Sequence, residues 1–358
     1  ATVAACEAPV NKVVPYVMKP ENVTPGMPTW YASTYYDGSS YASILVKTRE
    51  ARPILIKGNK NFGITKGSVS PQIIASVLEV YDSERLKNPR KSGKDSSWSS
   101  VDKEIRKAVK SAGKVVLVSN TVISPSIHST VAELKSAVSG DFEHIQYDPV
   151  SYSAIRKSNQ LNFGSSFIPS YDFSKAKTIV SINADFLTTW LMPTEFASQY
   201  GATRNPNEED GWMSKHFQFE AIMSITGSNA DYRGMTKPSE EVKVLQYILG
   251  KLKGNASKLP AHLKKIADKA VQSLRQSGNE SLVVCGTNNV GLQQLVNEIN
   301  QINGANGTTI DLYNEINLFQ SEEVRMMEFV NKMSKGDLPD VVFFYNSNPA
   351  YSLPNADA

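Results

Sequence analysis

Thiol and imidazole side chains are the usual carriers of redox and metal chemistry, and this chain has few of either. Its 358 residues include two cysteines, Cys6 and Cys285, far apart in sequence. A [4Fe-4S] cluster takes cysteine thiolates as ligands, and zinc sites favour clustered Cys and His. The histidines, His128, His144, His216 and His262, are scattered without an i, i+4 pair, so they read as surface or capping residues. No metal or cluster of the chain's own is expected. Two such distant cysteines do not make a disulfide framework, and they leave the redox compartment open.

Other groups offer alternatives of different chemistry. Gly286-Thr-Asn-Asn-Val-Gly291 lies between a strand and a helix, where backbone amides can cradle an anion. It lacks the Lys-Ser/Thr ending of a P-loop and the full G-x-G-x-x-G pattern, so a tight turn is the simpler reading. No G-x-S-x-G elbow is present. Asp172, Asp185 and Asp231 fall in or beside strand ends, where open α/β sheets hold ligands, and where helix caps and turns also use aspartate. The aromatic group Trp30, Tyr31, Tyr35, Tyr36 and Tyr41 suits a stacking platform or a protein interface. Without interleaved basic residues, protein contact is the expectation. No catalytic, cofactor-binding or metal residue is assigned.

These residues must be positioned by elements that the apolar pattern marks out. Before Pro28 the chain carries Pro9, Pro15, Pro20 and Pro25, and reads as an extended arm. Tyr41–Lys57 reads as a hairpin around Thr48-Arg49-Glu50. Pro71–Leu86 places Ile74, Val77, Leu78 and Tyr81 on one helical face, and a second helix covers Ser100–Ala112. Strands at Val115–Val118 and Phe142–Tyr147 then flank a helix at Ser126–Val138, with further strands at Thr178–Ile182 and Phe219–Ile225 and a surface loop at Ala202–Ser214. Helices Glu240–Leu252 and Pro260–Gln276 follow. The rhythm restarts with strand Ser281–Cys285, helix Leu292–Ile302, strand Thr308–Leu312, helix Glu322–Met333 and strand Val341–Tyr345. Such alternation implies an α/β fold of βαβ units with largely parallel, Rossmann-like sheets. An apolar final strand leaves an open sheet edge unless something covers it.

Composition restricts the partners. The 38 Lys and Arg nearly balance 35 Asp and Glu, for a net charge of +3, so no concentrated basic stripe points to nucleic acid. The basic run Lys87–Lys94 also holds Pro and Gly and reads as loop. No run approaches the roughly 18 apolar residues that span a bilayer; membrane attachment is expected through partners or a lipid.

Several segments in order resemble one family. They are Val13-Val-Pro-Tyr-Val, Tyr31-Ala-Ser-Thr-Tyr, Ile44-Leu-Val-Lys-Thr-Arg-Glu, Arg52-Pro-Ile, Lys57-Gly-Asn and Val77-Leu-Glu-Val-Tyr-Asp-Ser-Glu-Arg-Leu, then Asn162-Phe-Gly, Ile168-Pro-Ser-Tyr-Asp-Phe, Ser181-Ile-Asn-Ala-Asp-Phe-Leu, Ser281-Leu-Val-Val-Cys-Gly and Asn348-Pro-Ala-Tyr. Together they are similar to the N-terminal, molybdopterin-oxidoreductase-like part of the large iron-sulfur subunit of alternative complex III, a bacterial quinol-oxidising respiratory complex. The resemblance implies a molybdopterin-oxidoreductase-like fold with a possible lipid-anchored arm at 1–30, a small cluster-free β-rich region at 31–66, a first α/β lobe at 67–235 and a second, truncated one at 236–358.

The departures from the family are informative. Catalytic molybdopterin enzymes carry a four-cysteine motif in the region matching Tyr31 to Lys47, and Trp30–Ile44 has no cysteine. They also supply Cys, Ser, Asp or selenocysteine to molybdenum, whereas Ser151 and Ser153 in Pro149-Val-Ser-Tyr-Ser read as caps of the following helix. The resemblance therefore implies a non-catalytic scaffold on the periplasmic side of the inner membrane, part of an oxidoreductase complex in the respiratory electron-transport chain. Iron-sulfur clusters and haems are expected in a C-terminal domain or in partners: an iron-sulfur domain or subunit, multihaem cytochrome c subunits and quinol-binding integral membrane subunits. Val3-Ala4-Ala5-Cys6 reads as a small-residue box before an acylated cysteine, the alternative being an internal free thiol. Acyl chains on Cys6, at roughly 0.8 kcal/mol per buried methylene, would anchor the domain as a lipoprotein. Two alternatives stay open: a pterin- or nucleotide-binding periplasmic oxidoreductase, and a small-ligand binding module.

Overall fold

Two parallel sheets, a three-stranded sheet near the start and two short two-stranded antiparallel pairs organise the chain, in a computed structural model that describes residues 18, 21, 23–205, 212–255 and 257–354. Cys6 and most of the Pro-rich arm lie outside the described residues. The chain divides into two units, one of residues 1–35 with 42–85 and one of 36–41 with 86–358.

In the first unit β1 (Thr29–Tyr36), β2 (Tyr41–Arg49) and β3 (Arg52–Gly58) form a sheet in that order. The hairpin reading holds: β2 and β3 are antiparallel, with Arg49 opposite Arg52. The two turn residues, Glu50 and Ala51, both have positive φ, 45° and 62°, the mirror-image turn whose twist matches a hairpin. Inward-facing Ala42, Ile44 and Ile56 pack on Ile73. Ile73 belongs to α1 (Pro71–Ala75), which the Ser70 hydroxyl caps and which tightens into a 3-10 stretch over 76–81. The long helix expected to Leu86 is thus cut short. Only Ile73 of α1 is buried, while Ile74, Leu78 and Tyr81 of the anticipated face are exposed, so too little burial sustains further turns.

The second unit begins with a two-residue ribbon, β4 (Arg90–Lys91) and β5 (Lys94–Asp95), in the basic run read as loop. It continues with α2 (Trp98–Ser111), β6 (Lys114–Ser119), α3 (Pro125–Ala137), β7 (Asp141–Gln146), α4 (Ser153–Phe163), β8 (Pro169–Tyr171), β9 (Thr178–Ile182), α5 (Pro193–Ala202), β10 (Lys215–Glu220), α6 (Ile225–Ser228) and β11 (Tyr232–Met235). Next come α7 (Pro238–Lys253), α8 (Ala261–Ser277), β12 (Ser281–Cys285), α9 (Val290–Asn303), β13 (Ile310–Glu315), α10 (Glu323–Ser334), β14 (Val341–Tyr345) and α11 (Pro349–Ser352). The mixed α/β class with parallel sheets is as expected.

The pairings are what the linear pattern does not give. One sheet runs β11-β10-β9-β12 and the other β14-β6-β7, both parallel throughout. Each takes its last strand from beyond residue 236, so a boundary at 235 runs through both sheets instead of between two lobes. Helices cover both faces of each sheet, as parallel sheets require. In the four-stranded sheet Val180, Ile182, Phe217, Phe219, Val283 and Cys285 face α7, α8 and α9, while Ile179, Leu282 and Val284 face Ile155, Phe186, Phe196 and Tyr200. In the three-stranded sheet Val116 and Val118 meet Met326 and Phe329 of α10, and Val115 meets Val109 and Val138. β14 lies at the edge of its sheet, with Phe344 and Tyr345 exposed.

Two expected strands shift. The strand placed at Phe219–Ile225 ends at Glu220, because the Ser224 hydroxyl, which caps α6, is also held by the Glu220 carboxylate and turns the chain out of the sheet. The strand placed at Thr308–Leu312 begins at Ile310 and pairs antiparallel with β8. Thr308 and Thr309 instead donate their amides to the Ala305 carbonyl, and Gly307 takes the positive φ of that turn, 87°.

Candidate functional site

In open α/β sheets ligands bind at the carboxyl ends of the strands, where the strand order reverses. Each parallel sheet here has such a reversal, between β9 and β12 in one and between β6 and β14 in the other.

The first reversal is closed by its own side chains. The Asn183 and Gly286 amides donate to the Phe219 and Ile182 carbonyls, at 2.7 and 2.9 Å. A Cβ on Gly286 would run into the Asn183 carbonyl and come within 2.8 Å of Ala184 Cα, so glycine is required by the contact of the two loops. Thr287 Oγ1 donates to the buried Glu241 carboxylate at 2.7 Å and accepts from Asn183 Nδ2 at 3.4 Å. Burial holds the Glu241 carboxyl above the usual range, against the Thr287 hydrogen bond. The rest of the Gly286–Gly291 loop caps helices: Asn289 Oδ1 accepts from the Leu292 amide of α9, and Asn288 Oδ1 from the Ala154 amide of α4. Ser151 Oγ accepts from the Ser153 amide at the same helix start. The tight-turn reading of the loop therefore fits its hydrogen bonds.

Beside it runs a polar ladder that the sequence pattern hides. In β10 the residues Phe217 and Phe219 point to one core, so His216, Gln218 and Glu220 share the opposite face. All three are buried, which overturns the surface or capping reading of His216. Gln218 Nε2 donates to Glu220 at 3.1 Å, which turns the Gln218 carbonyl toward His216 Nε2 at 3.2 Å. The Nε2 atom must then carry the proton, leaving Nδ1 at 3.2 Å from the Tyr200 hydroxyl, whose single proton is shared between Nδ1 and the Asn229 carbonyl at 3.0 Å. Burial pushes the His216 ring down to about 4, with the Gln218 hydrogen bond opposing. At Glu220 burial pulls upward, but Arg233 Nε at 2.7 Å, Ser224 and Gln218 together leave the carboxyl below the usual range. Gly227 leaves room for this carboxylate, since a Cβ there would displace the end of the Glu220 side chain.

The carboxyl ends of β6 and β7 border a cleft of about 530 Å³ lined by Val122, His128, Gln146, Arg156, Glu315 and Glu322, among others. Its frame is hydrogen-bonded throughout. The Asp148 carboxylate accepts from the Thr121 amide and hydroxyl at 2.8 and 2.6 Å. Gln146 Oε1 accepts from the Val122 amide at 2.7 Å, and Thr121 Oγ1 from the Gln320 amide at 2.6 Å. Burial raises the Asp148 carboxyl above its ordinary range despite the two Thr121 bonds. His144 contacts Ser119 Oγ at 2.8 Å, and burial holds its ring below the usual histidine value, against the pull of Glu322.

The remaining candidates are dispersed. Asp185 accepts from Thr226 and Thr188 as a turn and cap residue. Asp172 caps a 3-10 turn, and Asp231 precedes β11, bound to Arg204 at 2.8 Å. His262 lies 3.7 Å from Glu240. Cys285 is buried, its thiol pushed up to about 12 by desolvation, the condition of an inert structural thiol. Of the aromatic group, Tyr36 and Tyr41 pack on the core of the second unit. In the first unit Trp30 has Lys47 Nζ and Lys57 Nζ at 5.7 and 5.6 Å from its ring. Strand pairing thus supplies the basic neighbours that the linear sequence lacks, at distances suited to cation–π attraction. Arg156, Glu315 and Glu322 went unnoticed in the sequence, because no short motif links residues that a long crossover brings together. Among the described residues no three His, Cys, Asp or Glu side chains gather as a metal set, and no helix is long and apolar enough to cross a membrane.

No protein-family model matches the chain, and no curated protein matches it.

Proposed function

We propose that this chain is a non-catalytic assembly domain of a membrane-associated, quinol-oxidising electron-transfer complex on the periplasmic side of a bacterial inner membrane. Its role in this reading is to hold the iron-sulfur and haem carriers of neighbouring domains or subunits within electron-transfer distance. The ordered resemblance to the molybdopterin-like part of the alternative complex III subunit supports it. So does the sequence arithmetic, because two cysteines cannot supply the thiolates of a [4Fe-4S] cluster.

The structural observation that carries the reading is an apolar surface where β10 and β11 end. Met235 pairs with Glu220 across the two strands, and the segment after Glu220 follows at the same edge. Ile222, Met223, Ile225 and Met235 are 85, 65, 58 and 68% exposed. Side chains of this kind left in water at the end of a well-packed sheet mark a protein contact, and methionine suits a docking surface that adapts to its partner. A pterin- or nucleotide-binding oxidoreductase has less support, because the helix starts beside the Gly286–Gly291 loop are capped by Asn288 and Asn289.

Purification in mild detergent, followed by mass spectrometry of the co-purifying subunits, tests the proposal. Haem- and cluster-bearing partners are expected with the wild-type chain and lost with Ile222→Asp/Met223→Asp. Stoichiometric iron or molybdenum in the isolated chain would overturn it.

A further inference from the structure

We propose that the cleft above β6 and β7 binds a small zwitterion of the amino-acid class, a site independent of the assembly role. The cleft falls in the size range of small-molecule sites, roughly 300–1,000 Å³, and lies at the carboxyl ends of two parallel strands, β6 and β7.

Charge selects the ligand. Arg156 projects from α4 and gives one hydrogen bond, from Nη1 to the neutral Ser321 carbonyl at 3.2 Å. Its buried Nε has no protein partner, and among the described residues no carboxylate lies within ion-pair distance of the guanidinium. Glu315, from the end of β13, likewise makes no ion pair among the described residues. Glu322, the other acid in the cleft, is already matched by Arg325 at 2.7 Å. One cation and one anion in the same cleft are therefore left unmatched, and a molecule carrying both charges complements the two together. A guanidinium favours a planar carboxylate, and Glu315 offers an acceptor for an ammonium group.

The neutral groups fit the same ligand. His128 stands 2.9 Å from the Val122 carbonyl through Nε2, which must donate; in the neutral ring Nδ1 is then an acceptor. Gln146, Asn317 and Gln320 add amides to the lining. The lining is also held in place before any ligand arrives. Besides the Thr121–Asp148 and Gln146–Val122 bonds, the Asp148 amide donates to Ser321 Oγ at 3.0 Å, and the Glu322 amide donates to the Gln146 carbonyl at 2.8 Å. A frame fixed in this way keeps the ordering cost of binding low.

The test uses the full chain. Thermal shift with each protein L-amino acid and glycine betaine at 10 mM comes first, followed by calorimetry on every compound that raises Tm. At least one zwitterion is expected to bind saturably. Its counterpart without the ammonium and its counterpart without the carboxylate should each bind at least about tenfold more weakly, the size of one lost charged hydrogen bond. Arg156→Gln and the surface change Glu315→Gln should each weaken binding by about tenfold to a hundredfold. Glu315→Gln retains the wild-type Tm, so it reports on the site even if Arg156→Gln fails to fold. No compound stabilising the chain, or affinity unchanged by Glu315→Gln, would overturn the proposal.

Discussion

At the carboxyl end of the four-stranded sheet, Asn183, Thr287 and Glu241 satisfy one another and the two loops touch through Gly286. At the same end of the three-stranded sheet, the chain spends its hydrogen bonds on the frame formed by Thr121, Gln146 and Asp148, and leaves space between that frame and Glu315–Glu322. Both places are carboxyl ends of parallel strands. Parallel strands offer a binding place at either of these ends, and the side chains decide that one is packed shut while the other stays open.

Three changes would break or sharpen this contrast, the largest first. Gly286→Val is expected to cost upward of ~3 kcal/mol, since its side chain meets backbone of the neighbouring loop that cannot move aside without opening the sheet; urea denaturation measures it, and a cost under ~1 kcal/mol would mean that the closed end is loosely packed. The next concerns protons at the buried ladder. His216 is pushed down to about 4 in the folded chain from about 6.5 when unfolded, so the unfolded state binds the proton more readily between those values. Stability is then fully present above about pH 6.5 and falls as pH drops toward 4, by up to ~3 kcal/mol. Glu220, held low, adds a loss of the same sign as pH falls through its folded value. Denaturation at pH 7, 5.5 and 4.5 should show this slope, and His216→Gln should flatten it. The smallest effect belongs to the open end: Asn317→Ala, on the exposed rim of the cleft, is expected to cost within ~0.5 kcal/mol by the same denaturation measurement.

The apolar strands were readable as runs: Thr178–Ile182, Ser281–Cys285 and Val341–Tyr345 all stand where hydrophobicity places them. β10 is displaced because one of its two buried faces is His216, Gln218 and Glu220, and a buried polar side chain carries no hydrophobic signal. Only the partners Tyr200, Arg233 and Ser224, distant or out of register, make that burial tolerable. The short strand β8 has three residues and relies on β13 for its pairing, so nothing local announces it. The candidate sites divide along the same line. The Gly286–Gly291 turn could be judged from its own residues, because its asparagines act on nearby amides. The Arg156–Glu315 cleft could not, because the groups that form it converge only after the chain has crossed between sheets.

The Asp340 carboxylate, which accepts from the Gly113 amide across a separation of 227 residues at 2.8 Å, has a bearing on biosynthesis. The parallel sheets are not completed until β12 and β14 leave the ribosome, so β9 and β6 each spend that interval with one unpaired edge. Such long-range closure makes folding slow and exposes the nascent chain to misassociation. A holdase acting during translation would protect it most between the emergence of β11 and that of β14.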